Sequence, residues 1–211
     1  MIFLTKFKYV RTHFTFKIII IMSIYVVIEV EFDVPQPGLN SMISLGAGAI
    51  NKNGDNFGDF EINLAPMENS VSDPVTMDWF NSEAPDALNY CTKNQIPPKE
   101  AMNQFGDWLL KLPSPRIMAA HPAPIDFAWV NYYFLKFLRD RLDKYPFHEP
   151  FFQVMPAFDI KSYAARVLQK DYADINRNNY PIELHNNKNH THKAIDDARE
   201  YASLLVKLLN I

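Results

Sequence analysis

Cysteine is nearly missing from this chain. Cys91 stands alone, so no disulfide can form within the chain and no cysteine-based zinc site can be built. That usage suits a reducing compartment, and the expected location is intracellular, cytoplasmic or nuclear. An excess of positive charge is missing too. The 21 basic and 24 acidic residues leave a net of −3, which excludes a protein that coats nucleic acid by bulk charge. Any grip on a polyanion must be local, or must work through metal ions. Nor is there an apolar run that could cross a bilayer. Ile18 to Ile28 supplies eleven mostly apolar residues, where a span needs about 20. No membrane partner is expected, and no internal repeat or low-complexity tract is present.

What is present is the balance of a globular protein. Hydrophobic residues make up 48% and charged residues 21% of 211, enough for one domain whose core needs no covalent staples. Residues 1–22 differ from the rest. They hold Lys6, Lys8, Arg11 and Lys17 and no acid, so the remainder carries 17 basic against 24 acidic residues. Lys17 interrupts the apolar part and no small-residue cleavage site follows, a poor match to a signal peptide. The expected organisation is an N-terminal extension over 1–22, outside the fold, and one domain over 23–211.

Ile24 to Phe32 is rich in β-branched and aromatic residues and reads as a buried strand. Asp33-Val34-Pro35-Gln36-Pro37-Gly38 breaks it, Met42 to Ile50 forms a second strand, and Phe57 to Leu64 alternates as a third after the turn at Asn51 to Asp55. Three successive strands predict an antiparallel meander. Helical spacing then takes over at Pro74 to Phe80, Ala84 to Cys91 and Pro98 to Leu112. Arg116 to Ala120 is a short strand, and Ile125 to Leu142 a strongly apolar helix. Asp159 to Leu168 predicts another helix, Tyr172 to His192 a polar loop, and Lys193 to Leu209 a C-terminal amphipathic helix. The order predicts an α/β fold with helices packed on a sheet.

Glu29 and Glu31 are two apart at the end of the first strand, so both carboxylates point to one face. Like charges side by side repel unless a cation separates them, and hard divalent ions such as Mg2+ and Mn2+ take oxygen ligands of this kind. Alone, the pair could equally be a solvated strand end. Asp126 near a helix start could equally be a capping residue. Near the C-terminus, Thr191 is placed to cap the last helix, with His192 in its first turn and the tandem Asp196-Asp197 beyond. One of that tandem should face inward, where it must be paired or metal-bound. Four carboxylates and a histidine are the parts of a two-metal phosphoryl-transfer site: the acids hold two ions and a nearby base activates water.

These residues resemble a family, the DnaQ-like or DEDDh 3'-to-5' exonucleases, over about Ile24 to Leu209. The first motif reads Val-Ile-Glu-Val-Glu-Phe-Asp-Val-Pro-Gln-Pro-Gly over 27–38, followed by Ser-Met-Ile-Ser-Leu-Gly-Ala over 41–47. The second reads Ala-His-Pro-Ala-Pro-Ile-Asp-Phe-Ala-Trp over 120–129, and the third His-Lys-Ala-Ile-Asp-Asp-Ala over 192–198. Phe158-Asp159-Ile160-Lys161-Ser162-Tyr163 also looks like a family segment. The resemblance implies a ribonuclease H-like fold, its mixed central sheet combining an antiparallel meander with parallel strands and flanked by helices. It implies that Glu29, Glu31, Asp126 and Asp197 hold two Mg2+ or Mn2+ ions, with Asp197 rather than Asp196 as the ligand, and that His192 is the general base. The implied activity is removal of nucleoside 5'-monophosphates from single-stranded nucleic acid with a free 3' end, and a homodimer is within the family's range. Two positions depart from the pattern. Glu29 stands where the family uses Asp and is one methylene longer. Phe32 stands where it often has Thr, removing a hydroxyl near the terminal nucleotide and adding an aromatic face for a base. An enzyme and a catalytically impaired relative that binds nucleic acid or a protein are therefore both carried forward.

His121, before Asp126, is read equally as lining the substrate cleft or as packing, and Trp79-Phe80 follows a loop that could approach the cleft. His148, His185 and His190 lack an acid at ligand spacing and are read as surface histidines. Lys136, Arg139, Arg141 and Lys144 read as a solvated basic helix end able to touch phosphates of a longer strand.

Overall fold

A computed structural model describes residues 22–33, 36–138, 157–184 and 190–211. Residues 1–21 of the expected extension lie outside the described residues, as do Arg139, Arg141, Lys144, His148 and His185. A five-stranded sheet in the order β3-β2-β1-β4-β5 organises the rest. Its strands are β1 (Ile24–Phe32), β2 (Met42–Ile50), β3 (Asn56–Asn63), β4 (Arg116–Ala120) and β5 (Phe158–Asp159). β1, β2 and β3 pair antiparallel, whereas β4 joins β1, and β5 joins β4, in parallel. The helices are α1 (Pro74–Glu83), α2 (Pro85–Cys91), α3 (Pro98–Lys111), α4 (Ala123–Phe137), α5 (Ile160–Leu168) and α6 (Ala194–Leu208). None of the described helices is long and apolar enough to cross a membrane.

β1 is central because its side chains are apolar on both faces, the pattern of a strand covered from both sides. Val26, Ile28 and Val30 join a core with Met102 and Phe105 of α3 and Trp129, Val130 and Tyr133 of α4. Val27 points to the opposite core, shared with Ile160 and Ala164 of α5 and Tyr201, Ala202 and Leu205 of α6. Local chemistry fixes the helix starts. The Asp73 carboxylate accepts from the Thr76 N–H at 2.9 Å, and Pro74 occupies the first turn of α1.

The meander, the parallel β4 and all six predicted helices appear close to their expected bounds. Four details differ. α4 already begins at Ala123, because Pro124 falls in the first turn where a missing N–H costs nothing. Asp159 is not the first residue of a helix: it ends β5 and caps α5, accepting from the Lys161 N–H at 2.9 Å. The polar stretch after α5 contains three single-turn helices, Tyr172–Asp174, Arg177–Asn179 and Ile182–Leu184. Thr191 does not cap α6, which starts after Lys193. The Thr191 hydroxyl donates to Asp196 at 3.0 Å instead, and His192 lies outside the helix in the left-handed region, φ 53°.

Candidate active site

The parallel pairing of β1 with β4 stops at Val27 and Ala119, so β1 runs on beyond its neighbour. The free edge left there is a backbone donor in need of a partner. Asp126, in the first turn of α4, supplies it: its Oδ1 accepts from the Val30 N–H at 3.0 Å. Asp126 is 3% exposed. It is thereby fixed beside Glu29 and Glu31, beyond the carboxyl end of the short parallel strand, where open α/β sheets place their ligands.

Asp197 arrives from the other side. It lies in the first turn of α6 and is 1% exposed, so it is the inward member of the tandem. Asp196 stays at the rim, bonded to Thr191 and 3.6 Å from Arg199. The approach of α6 depends on Gly46, which pairs directly with Glu29 across β1 and β2. A Cβ on Gly46 would fall 2.3 Å from the backbone of Ala194 and Ile195. Only a glycine lets the helix start rest against the sheet at this level.

The four carboxylates share one electrostatic environment. Burial pushes Glu29 well above the usual carboxylate range, and the charges of Asp126, Glu31, Asp197 and Glu200 push the same way. Burial likewise raises Glu31 strongly, helped by Asp197 and Asp126. Asp126 is pushed up to about 7 by burial, against the opposing pull of the Val30 N–H. Arg177, whose charge reaches Asp197, is engaged by Glu200, with Nε to Oε1 at 3.0 Å and Nη2 to Oε2 at 2.6 Å. Glu29 Oε2 and both oxygens of Asp197 are buried without a hydrogen-bond partner. Buried acceptors of this kind are costly unless something positive meets them. The donor set, all carboxylate oxygens, fits hard divalent ions.

Beside Asp197 stand two histidines. His190 Nδ1 is 3.0 Å from Asp197 Oδ1, although neither atom completes an aligned hydrogen bond. The His190 and His192 rings meet at 4.0 Å between centroids, and Trp79 packs edge-on against His192 at 5.0 Å. Burial, with a contribution from His190, lowers His192 below its usual pKa. A neutral imidazole next to a carboxylate cluster is suited to accept a proton. His190 corrects the surface assignment made from spacing: its side chain is 29% exposed and turned toward Asp197. The missed signal was the close pair His190 and His192, whose rings meet once His192 turns into the left-handed region.

The two expected substrate residues behave differently. Phe32 is half-buried and stacks on Trp129, with centroids 5.0 Å apart and planes 14° apart. Its position next to Glu31 follows a register shift in β1. His121 is 7% exposed, its Nε2 2.6 Å from the Tyr180 hydroxyl and its ring stacked on Tyr201 at 4.5 Å. Burial lowers it to a pKa of about 4. An enclosed ring so engaged has no face to offer, so packing replaces the expected substrate contact at His121. Trp79 is 41% exposed while Phe80 is buried. Two surface hollows of about 420 Å³ lie elsewhere, one lined by Glu61, Tyr90 and Lys93, the other by Asp59, Arg199 and Lys207. Neither contains the four carboxylates.

No family model matches the sequence, and no curated protein matches it. Solved structures do share its fold. The nuclease domain of 3'hExo, a DEDDh family member bound to rAMP, superposes with a TM-score of 0.62 at 12% identity, over 90% of this chain and 92% of that one. A 3'-exonuclease structure showing 3'-end specific recognition of a histone mRNA stem-loop gives 0.63 at 12% identity over 89% of this chain, which spans only 64% of that longer one. The Mg2+ and Mn2+ bound form of S. pombe Pop2p gives 0.60 at 13% identity, over 87% and 81%. The mixed sheet with helices on both faces is thus the ribonuclease H-like fold seen in exonuclease structures.

Proposed function

We propose that this chain is a 3'-to-5' exonuclease that removes nucleoside 5'-monophosphates from single-stranded nucleic acid. One observation carries the reading. Three distant segments bring Glu29, Glu31, Asp126 and Asp197 together, with buried oxygens that lack partners, next to a histidine whose pKa is lowered. The neighbours' fold and their bound rAMP, stem-loop and divalent ions support it by analogy.

In this reading Glu29, Glu31, Asp126 and Asp197 hold two Mg2+ or Mn2+ ions. Such a pair supplies neutralisation of the carboxylates and of the charge that builds on the phosphate. His192 takes the proton from the attacking water. The water oxygen bonds to phosphorus as the bond from phosphorus to the 3' oxygen of the next nucleotide breaks. The proton on the departing 3' oxygen comes from solvent, and the phosphate stays on the released nucleoside. Asp126 keeps its place through the Val30 N–H, and α6 holds Asp197 and the adjoining His192 segment at fixed spacing. Phe32 and Trp79 are the aromatic groups at hand for the terminal base.

A second reading rests on Glu29. Its extra methylene moves a carboxylate at the central position, and displacements of about 1 Å can cost on the order of 10²-fold in rate. The chain would then bind nucleic acid, or a protein, without cutting. Oligonucleotides of DNA and RNA, 5'-labelled and incubated with Mn2+ or Mg2+, separate the two. A ladder shortening stepwise from the 3' end supports the enzyme. A mobility shift with every strand intact supports the binder.

A further inference from the structure

We propose that His190, His192 and Asp197 form a binding site for a borderline transition-metal cation of the zinc class, and that filling it takes His192 out of proton transfer. One donor atom from each residue lies within 4.8 Å of the other two. Two imidazole nitrogens with one carboxylate oxygen select Zn2+, Co2+ and their neighbours over Mg2+ or Mn2+, which take all-oxygen sets. The carboxylate set and this one therefore call for different ions, although they share Asp197.

A second observation points into the same space. The Asp197 side chain is 2% exposed, and both of its oxygens lack partners, as does the buried Nδ1 of His190. His190 Nδ1 and Asp197 Oδ1 lie 3.0 Å apart without an aligned hydrogen bond, so the contact between them is left for an ion to complete. A tetrahedral ion with bonds of about 2.0–2.1 Å holds its donors roughly 3.4 Å apart. Closing the site thus asks for rotation of two half-buried rings and no movement of α6. Trp79 packs edge-on against the His192 ring.

The site itself is independent of the nuclease reading; its inhibitory consequence rests on that reading. The test uses the full chain stripped of metal. Zn2+ is titrated by competition with a chromophoric chelator in millimolar Mg2+, and Co2+ uptake is followed by its visible absorption. The parent should take up one equivalent of Zn2+, and His190→Ala and His190→Gln should each weaken it at least tenfold. Loss of a supporting interaction alone costs about 10–100-fold in affinity. Metal-free melting curves establish that both variants fold. No Zn2+ uptake by the parent, or equal affinity in both folded variants, overturns the site. The same proteins are then assayed on a labelled oligonucleotide in Mg2+. Zn2+ should inhibit the parent at the concentration that fills the site. In the variants inhibition should need at least tenfold more, each measured against its own uninhibited rate. Cleavage that continues with the site filled overturns the inhibitory step. Absence of cleavage in every sample removes the nuclease reading and leaves the binding result standing.

Discussion

At the scale of single residues, the proposed chemistry divides between proton transfer and charge placement. His192 is expected to be the group whose protonation limits turnover. Its pKa is lowered by burial and by His190, so the rate should rise with pH through a value below 6.5, the ordinary histidine value, and level off by neutrality. His192→Ala should cut turnover by about 10²–10⁴-fold, the usual share of a general base, and should abolish that rise in the pH profile. An unchanged profile in the variant would assign the titration to another group. Glu29 tests geometry instead. Glu29→Asp shortens the side chain to the length usual in the family, and activity should be equal or up to about 10²-fold higher. A large loss would mean that the pocket has adapted to the longer acid; single-turnover rates at saturating Mn2+ measure this directly. The convergence of these segments was legible in the sequence because each carries a short motif of distinctive chemistry. The place of His190 beside Asp197 was not, since it depends on where a loop turns, and spacing alone does not encode that. His121 stood open in the sequence between cleft and packing for the complementary reason. A histidine next to a motif looks available, and only Tyr180 and Tyr201 enclosing it show otherwise.

At the scale of elements, α6 carries the greatest burden. It buries Tyr201, Leu205 and Leu208 against the sheet and delivers Asp197 to the cluster. Its amphipathic pattern was plain in the sequence, and so were the three meander strands, because periodicity marks elements that cover a core on one side. The two-residue β5 was too short for any periodicity, and the true start of α6 was obscured by Thr191, which resembles a cap but bonds to Asp196. Gly46 provides the test at this scale. Gly46→Ala puts a methyl group 2.3 Å from the first turn of α6, into backbone that cannot yield. The cost should be at least the ~1–3 kcal/mol typical of overpacking, seen as a lower midpoint in urea, together with loss of nuclease activity as Asp197 is pushed away. Gly48→Ala is the internal control on the same strand. Its added methyl would meet Asp59 Oδ1 at 3.6 Å and the Ala202 Cβ at 3.8 Å, ordinary contact distances. Stability should change little there, and equal losses at both positions would refute the close approach of α6 as the reason for Gly46.

At the scale of the whole molecule, the fold stores electrostatic repulsion that divalent ions would relieve. Glu29 and Glu31 lie well above the usual range and Asp126 is at about 7, so the folded, metal-free protein holds protons that the unfolded chain releases. For acids raised in this way the stabilisation is complete below the unfolded values, near 4, and is lost as pH rises through the folded ones. Two histidines act in the opposite direction. His121, lowered to about 4, and His192, also lowered, favour folding less as pH falls below 6.5. Burial of Cys91 raises its thiol to about 12, which disfavours folding only above roughly pH 8.5, where the unfolded thiol ionises. Between pH 6.5 and 8 the histidines still count, because an unfolded imidazole sheds about half a proton there, and together they return up to roughly 0.8 kcal/mol. Asp126 loses about as much across that window, so the net fall in the metal-free melting temperature with rising pH reports Glu29 and Glu31, whose values lie well above the usual range. Saturating Mn2+ should remove this dependence, since an ion that favours the ionised carboxylates holds them deprotonated throughout. Calorimetry at three pH values, with and without Mn2+, decides the matter. A metal-free melting temperature that stays level or rises from pH 6.5 to 8 would mean that Glu29 and Glu31 are not raised by a shared buried field. The cluster would then lose its physical claim to a pair of cations, whatever the fold resembles.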